Sequence, residues 1–218
     1  RKLSKPEVPT KIGLMTREAL THLAANDVFL AELIQTHPAP SFTPHTNYYH
    51  ELVSSIISQQ LSVKASHTIE GRFKDLFGGK FPSPELILEK NIEELRAVGM
   101  SRPKASYIQD LAVKILDGTV RFDTLDALSN QEIIDELTKV KGIGVWTVHM
   151  FLMFCIGRLN ILPVGDLGLR NGIQRLYDLA HFPDDAGMEK IAQTTGWYAF
   201  ETGAGGVVWT MLDRVAHS

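Results

Sequence analysis

Apolar side chains recur along this chain at the spacing of one face of an α-helix, and this pattern restricts the fold more than any other feature. Between Ser101 and Gly118, apolar residues stand at positions i, i+3, i+4, i+7 and i+8. Serine precedes the segment, Pro103 lies early in it and glycine follows, as is typical of residues that begin and end helices. The apolar positions are Ile108, Leu111, Ala112, Ile115 and Leu116.

Similar signals occur through most of the remaining sequence. Ser129 and Glu132 have the spacing of a capping box, and Ser83 precedes a proline suited to the first helical position. Amphipathic segments also lie on both sides of residues 58–62, and the second ends at a pair of glycines. Few runs alternate with a period of two, and none carries a hairpin turn signal. The sequence therefore predicts an all-α protein of about ten helices.

Composition limits the class of protein. The chain has 218 residues, 44% hydrophobic and 22% charged, which suits one large domain or two small lobes. We expect neither a membrane span nor a signal peptide, because no apolar run is long enough and none follows the basic N-terminus. The single cysteine, Cys155, excludes an internal disulfide and a four-thiolate iron–sulfur site, and its apolar surroundings predict a buried thiol. An intracellular location fits this cysteine usage.

Residues 137–147, LTKVKGIGVWT, form the sharpest motif, in which a capped helix runs through Gly142 and Gly144 into an apolar helix. The glycines allow a tight turn and a close approach of the backbone to a partner. N–H groups at the start of the second helix lack intrahelical partners and can bind a DNA phosphate. The formal net charge of −3 argues against nucleic acid, but this grip needs no lysine. A plain helix–turn–helix corner is the alternative.

Two further motifs contain polar residues at places where chemistry or binding is plausible. Asp166, in LPVGDLGLR at residues 162–170, precedes a predicted helix, so it is a candidate carboxylate and also a candidate N-cap. The two roles are compatible, since a helix N-terminus favours an ionised carboxylate. Gln59 and Gln60, in IISQQLSVKA at residues 56–65, could hydrogen-bond a base edge or fill a gap in stacked DNA. A solvated connection between helices is the alternative for the glutamines.

The three motifs, in this order, resemble those of the helix-hairpin-helix-GPD DNA glycosylases, and the AlkA-type 3-methyladenine DNA glycosylase II branch in particular. The segments FPSPE at residues 81–85 and GMSRPKA at residues 99–105 also resemble that branch, so the match runs from about residue 48 to 209. The resemblance implies two helical lobes around a cleft, without the N-terminal β domain of AlkA. Residues 1–47 and 159–218 would form the lobe with the catalytic Asp, and residues 48–158 the lobe with the hairpin.

The resemblance also implies an activity, that of a monofunctional DNA glycosylase in base excision repair. Such an enzyme flips an alkylated base of the 3-methyladenine type out of the duplex and hydrolyses its N-glycosidic bond. Asp166 would be the catalytic carboxylate, stabilising the oxocarbenium-like transition state or activating water. Bifunctional relatives carry a nucleophilic lysine at the position of Trp146, and iron–sulfur members carry four cysteines. Neither feature is present here.

The remaining site residues are implied by the same resemblance. Gln60 matches the residue that fills the gap left by the flipped base, where AlkA has an apolar side chain. Double-stranded DNA with a damaged base is the expected partner, and we expect a monomer with no cofactor beyond Na⁺ or K⁺ on the hairpin carbonyls of Val140 and Ile143. The predicted base pocket comprises Trp146, Phe200, Tyr49 and Met150. The predicted DNA contacts are Gln59, Gln60, Ser62, Gly142, Ile143, Gly144, Val145 and Thr147.

The C-terminal segment departs from the family pattern. Relatives read Trp-x-Pro-Tyr-Arg-Ser, whereas residues 197–209 read WYAFETGAGGVVW, with Glu201 in place of a cation. Glycines inside a helix each cost about 1 kcal/mol relative to alanine, so we expect either that the last helix starts late or that this pocket wall is looser. The departure and the net charge favour an alternative, a non-catalytic helix-hairpin-helix DNA-binding protein. The presence of Asp166 together with Trp146 argues against that alternative, because a pure binder needs neither.

Overall fold

The computed structural model describes residues 11–37, 45, 47–158, 160–195, 197, 208 and 212, with side chains from residue 17 onward. Within these residues it is helical and contains no strand, so the predicted all-α class is confirmed. A short 3₁₀ turn spans Leu125–Ala127 and a π-helical turn spans Leu152–Ile156. The helices are α1 (Lys11–Asn26), α2 (Val28–Thr36), α3 (Tyr48–Ser58), α4 (Val63–Leu76), α5 (Pro84–Leu88), α6 (Ile92–Ala97), α7 (Arg102–Leu116), α8 (Asn130–Leu137), α9 (Val145–Phe151), α10 (Leu167–Leu176) and α11 (Asp185–Thr194).

The predicted helix starts are found where the capping residues placed them. Ser101 caps α7, and Ser129 and Glu132 form both hydrogen bonds of a capping box at the start of α8. Ser83 precedes α5 as predicted, but its hydroxyl makes no capping hydrogen bond to the helix backbone. Capping hydrogen bonds such as those of Ser101 and Ser129 satisfy backbone N–H groups that have no partner within the helix. Residues that can form these bonds therefore mark helix starts well.

The chain divides into two compact units. One comprises Arg1–Pro44 and Leu152–Ser218, and the other comprises His45–Phe151. The boundaries between the units fall after residues 44 and 151, whereas the sequence predicts boundaries after residues 47 and 158. The second boundary lies at the junction between α9 and the π-helical turn. Asp166 thus belongs to the first unit, and the glycine motif at residues 137–147 belongs to the second.

The second unit is built around α7. This helix packs against α3, α5 and α6, and its Ile108, Leu111 and Ala112 are fully buried, as the apolar spacing predicts. Leu116, which belongs to the same sequence pattern, is instead 47% exposed because it is the last residue of the helix, beyond the core. The central position of α7 gives it contact with several parts of the unit that carry candidate site residues.

The first unit has its own core of apolar side chains, which come from α1, α2, α10 and α11 and from residues 197, 208 and 212. Asp27 is buried at the start of α2, where its carboxylate accepts the backbone N–H groups of Phe29 and Leu30 and the hydroxyl of Tyr177. These bonds join α2 to the end of α10 and fix the helix that Asp166 precedes. The core residues are Ala19, Leu23, Leu30, Leu33, Leu169, Ile173, Met188, Ala192, Trp197, Val208 and Leu212.

Two expectations from composition can be compared with these elements. Cys155 is buried, as its apolar surroundings predicted. No helix within the described ranges combines the length and apolar character that crossing a bilayer requires.

Truncation of Leu111 tests the central role of α7. Leu111→Ala leaves a cavity in the core of the second unit, so we expect it to lower the free energy of unfolding by about 2–5 kcal/mol. Leu116→Ala removes the same atoms from the exposed end of the same helix and should change the free energy of unfolding by less than about 0.5 kcal/mol. Chemical denaturation measures both, and equal losses would contradict this description of the core.

Candidate active site

The hairpin loop, residues 138–144 between α8 and α9, depends on its first glycine for two reasons. Gly142 has a φ of +80°, a backbone conformation that residues with a side chain rarely adopt. A Cβ atom at Gly142 would lie 2.0 Å from a ring carbon of Tyr107 on α7, so no side chain fits there. Gly144 differs, because a Cβ atom at that position would meet nothing within 4 Å. Gly142 therefore shapes the loop, and Gly144 leaves the backbone open to its surroundings.

The start of α9 presents backbone amides beside this open glycine. The first helical hydrogen bond runs from the Val148 N–H to the Gly144 carbonyl at 3.1 Å, so the amides of residues 144–147 precede the helical ladder. Ile143 is buried and anchors the loop, and its N–H donates to the Val140 carbonyl at 3.1 Å. Val145 is half-exposed. The loop thus combines a buried side-chain anchor with an accessible backbone.

The glutamine motif forms the turn between α3 and α4, residues 59–62. Gln60 is exposed and has a φ of +57°, and Ser62 caps α4 by accepting the Ala65 N–H at 3.3 Å. The Gln59 side chain does not extend into solvent as a simple connector would. Its Nε2 donates to the carbonyl of Gly142 at 2.8 Å. The structure therefore brings two of the three sequence motifs into direct contact, which the sequence did not predict.

Three side chains of α7 complete this arrangement. Lys104 donates from Nζ to the carbonyls of Ile57 at 2.8 Å and Gln59 at 2.6 Å, at the end of α3. Asp110 accepts the Lys141 N–H at 2.8 Å, in the hairpin loop. Burial lowers the pKa of the Lys104 ammonium. This ammonium donates hydrogen bonds to both carbonyls. Sequence reasoning missed Lys104, Tyr107 and Asp110, because their contacts are with segments distant in sequence.

The face of α9 that follows the hairpin carries two of the predicted pocket residues. Trp146 is 50% exposed, so its ring does not belong to the buried core. Met150, one turn later on the same face, is partly buried. His149 lies beside Met150, and burial lowers the pKa of its imidazole, which favours the neutral form. An aromatic ring and a thioether thus stand near each other on this helix, with the ring accessible.

Tyr49 on α3 has contacts of a different kind. Its ring lies edge-on to that of Phe81, with 5.6 Å between centroids, and its buried hydroxyl finds no hydrogen-bond partner among the described residues. Burial raises the pKa of this hydroxyl. These contacts account for Tyr49 by packing within its own unit, so its place in the base pocket stays a prediction. Phe200, the remaining predicted pocket residue, lies outside the described residues.

Asp166 is buried, with 7% of its surface exposed, at the N-terminus of α10. Its Oδ1 accepts the Leu169 N–H at 2.7 Å, so the N-cap role considered from the sequence is confirmed. The preceding loop is held as well, because Arg170 donates from Nε to the Val164 carbonyl at 2.6 Å and the Asp166 N–H donates to Pro163 at 2.8 Å. The carboxylate is therefore fixed in position and orientation by its own helix and loop.

Metal ions could be held by side chains or by backbone carbonyls of this site. Across the residues that it describes, no three His, Cys, Asp or Glu side chains gather as a metal site. The hairpin carbonyls are oxygen ligands suited to a hard cation. The Val140 carbonyl accepts one hydrogen bond, from Ile143, and a carbonyl oxygen has a second lone pair. The Val140 carbonyl therefore keeps a lone pair with which it could bind a cation.

Comparison with known proteins now decides the family. The profile of the HhH-GPD superfamily of base excision DNA repair proteins matches residues 53–196, which include the glutamine turn, the hairpin loop and Asp166. The chain belongs to this superfamily. It is 36% identical to DNA-3-methyladenine glycosylase 1 of Schizosaccharomyces pombe over 163 residues, covering 71% of this chain and 72% of the relative.

Solved structures of HhH-GPD relatives show the same fold. A DNA-3-methyladenine glycosidase from Bacillus halodurans matches with a TM-score of 0.79 and 33% identity, covering 92% of this chain and 91% of the other. The 3-methyladenine DNA glycosylase Mag1 from S. pombe, solved in complex with abasic DNA, matches with a TM-score of 0.74 and 33% identity over 88% of this chain and 95% of the other. The likeness to these structures thus extends well beyond the three motifs.

The two glycines of the hairpin should respond differently to the same substitution. Gly142→Ala forces a positive φ, which costs about 1–3 kcal/mol, and adds a clash with Tyr107, so we expect a loss of about 2 kcal/mol or more in the free energy of unfolding. Gly144→Ala should change stability by less than about 1 kcal/mol, since its Cβ meets open space. Thermal and chemical unfolding measure both variants, and similar losses would show that the distinction is wrong.

Proposed function

We propose that this protein is a monofunctional DNA glycosylase that hydrolyses the N-glycosidic bond of alkylated bases of the 3-methyladenine type in base excision repair. The single observation that carries the proposal is a buried carboxylate, Asp166, fixed at the N-terminus of α10 in a chain of the HhH-GPD superfamily. The relatives described above are named for 3-methyladenine release, and they match this chain at 33–36% identity.

Asp166 would supply the charge that the reaction needs. Cleavage of the glycosidic bond develops positive charge on the sugar, and an ionised carboxylate held close to it stabilises that charge or orients a water molecule. The bond from the Leu169 N–H holds Oδ1 in place, so little reorganisation is needed as the charge appears. An alkylated purine carries positive charge itself and leaves readily, and the mechanism therefore requires no strong general acid.

Recognition of the base would fall to the exposed ring of Trp146. A cationic purine is attracted to the electron-rich face of an indole, and such contacts are worth about 0.5–2 kcal/mol. Met150, one turn away, adds a polarisable surface that adapts to bases of different shape. We include Tyr49 and Phe200 in the proposed pocket on the strength of the family resemblance.

The hairpin loop and the 59–62 turn would hold the DNA. Backbone amides at the start of α9, from Gly144, Val145 and Thr147 among others, suit one phosphate oxygen, and the open space at Gly144 permits close approach. Gln60, exposed at the tip of its turn, would fill the gap left by the flipped base, and Ser62 would contact the backbone beside it. These contacts need no excess of basic residues, which reconciles the proposal with the net charge of −3.

We propose in addition that the carbonyls of Val140 and Ile143 hold a Na⁺ or K⁺ ion. A cation there would strengthen the positive field that the hairpin presents to a phosphate.

The catalytic proposal is tested by release of free methylated bases from alkylated duplex DNA. Asp166→Asn keeps an N-cap side chain but removes the charge, so we expect base release to fall at least about 100-fold with stability and DNA binding largely retained. Asp184→Asn is the matched control, since Asp184 caps α11 in the same unit through the Gly187 N–H at 2.8 Å and is exposed. It should leave base release unchanged.

Other outcomes have definite meanings. DNA binding without base release by the native chain, across several lesions, would support the non-catalytic DNA-binding alternative. Full activity of Asp166→Asn would remove Asp166 from the mechanism. Absence of DNA binding at any salt concentration would point instead to a protein-interaction domain.

The cation proposal makes a separate prediction about DNA affinity. Replacing K⁺ by tetramethylammonium at constant ionic strength should weaken binding of an undamaged duplex by about two- to tenfold, because the large ion does not fit among carbonyls. Fluorescence anisotropy measures the affinity, and titration of K⁺ back into the sample should restore it. Equal affinities in the two salts would contradict the proposal.

A further inference from the structure

The glutamine turn and the hairpin loop are far apart in sequence but form one hydrogen-bonded assembly in the second unit. Gln59 donates to the Gly142 carbonyl across 83 residues of sequence. The Lys104 ammonium binds the carbonyl of Gln59 itself, and Tyr107 lies beneath Gly142. Asp110 binds the backbone of Lys141 in the hairpin loop. Three residues of α7 therefore contact both segments, and Gln59 joins the segments directly.

The spacing of the three α7 residues explains how one helix reaches both segments. Lys104, Tyr107 and Asp110 stand three residues apart, so they form a stripe along about two turns, or roughly 9 Å of helix. Lys104 holds the end of α3 at one end of the stripe, and Asp110 holds the hairpin loop at the other. Gln59 joins the two segments directly. Since α7 is packed into the core through Leu111 and its neighbours, the stripe is a rigid support.

We infer that Gln59 and Lys104 are positioning residues, which with the stripe on α7 fix the spacing between the gap-filling Gln60 and the phosphate-binding hairpin loop. In the proposed function, Gln60 enters the base stack while the hairpin amides hold a phosphate. Both contacts form together only if the distance between them matches the DNA, so a rigid link lowers the cost of flipping the base. The inference rests on the proposed function for its effect on base release, but not for its effect on the hairpin itself.

This inference changes the role predicted for Gln59 from the sequence. A DNA-contacting glutamine offers its carboxamide to the nucleic acid, whereas Nε2 of Gln59 already donates to the Gly142 carbonyl within the protein. The Lys104 ammonium likewise binds the protein itself, since it donates to the carbonyls of Ile57 and Gln59. The two roles make different predictions for the free protein, where no DNA is present.

The first measurement is amide hydrogen exchange of the free protein. Gln59→Leu removes the donor at similar volume, so exchange in the hairpin loop and the first turn of α9 should accelerate about fivefold, with the rest of the unit unchanged. Gln109→Leu is the matched control, because Gln109 on α7 also donates from Nε2 to a carbonyl, that of Lys90, at 2.7 Å. It should leave exchange of the hairpin unchanged.

The second measurement separates positioning from DNA contact. With Gln59→Leu, single-turnover base release at saturating enzyme should fall about 10- to 100-fold, while affinity for undamaged duplex changes less than about twofold. With Lys104→Met, the slope of log affinity against log salt should stay constant, whereas loss of a phosphate contact would lower it by about one.

The result that would overturn the inference is unchanged hairpin exchange in Gln59→Leu together with weaker DNA binding, which would make Gln59 a direct DNA contact. Faster exchange throughout the unit, equal in Gln59→Leu and Gln109→Leu, would reduce both glutamines to general stabilising residues and would also overturn it. If the native chain released no base, the proposed function would fail, and the exchange measurement would still decide the link between Gln59 and the hairpin.

Discussion

The close contact between Gly142 and the ring of Tyr107 is the constraint on which the candidate DNA-binding surface depends. No side chain fits at Gly142, and its φ of +80° turns the loop so that its carbonyl meets Gln59 and the following residues begin α9. Because Tyr107 lies on α7, the helix that packs against α3, α5 and α6, the shape of the loop is set by the core of its unit. In the proposed function, Gly142 therefore links stability to DNA recognition.

In the proposed mechanism, Asp166 combines a common structural role with a chemical one. Its Oδ1 accepts the Leu169 N–H, as an N-cap does in any helix, and the same bond holds a buried carboxylate in a defined orientation. The Arg170 bond to Val164 fixes the loop before it. The first unit thus positions its charge through local contacts, whereas the second positions its loop through contacts distant in sequence. The two classes of contact differ in how far a sequence reveals them.

Sequence patterns predicted the local features of this protein and missed the distant ones. The helix starts at Ser101 and Ser129 and the all-α class followed from capping and periodicity, which act over a few residues. The hydrogen bond from Gln59 to Gly142 joins residues whose proximity depends on the whole fold, so no local pattern indicates it. The exposure of Trp146, too, depended on which face of α9 packs, and a short helix that is apolar nearly all round does not reveal that.

The most direct test of the central claim is analysis of the products formed from a duplex that carries one alkylated base, by mass spectrometry and strand-integrity electrophoresis. The position that bifunctional relatives fill with a nucleophilic lysine is Trp146 here. The account therefore predicts one free base and an intact strand with an abasic site, and no covalent adduct after borohydride treatment. A cut strand, a trapped adduct or an unreacted lesion would contradict it.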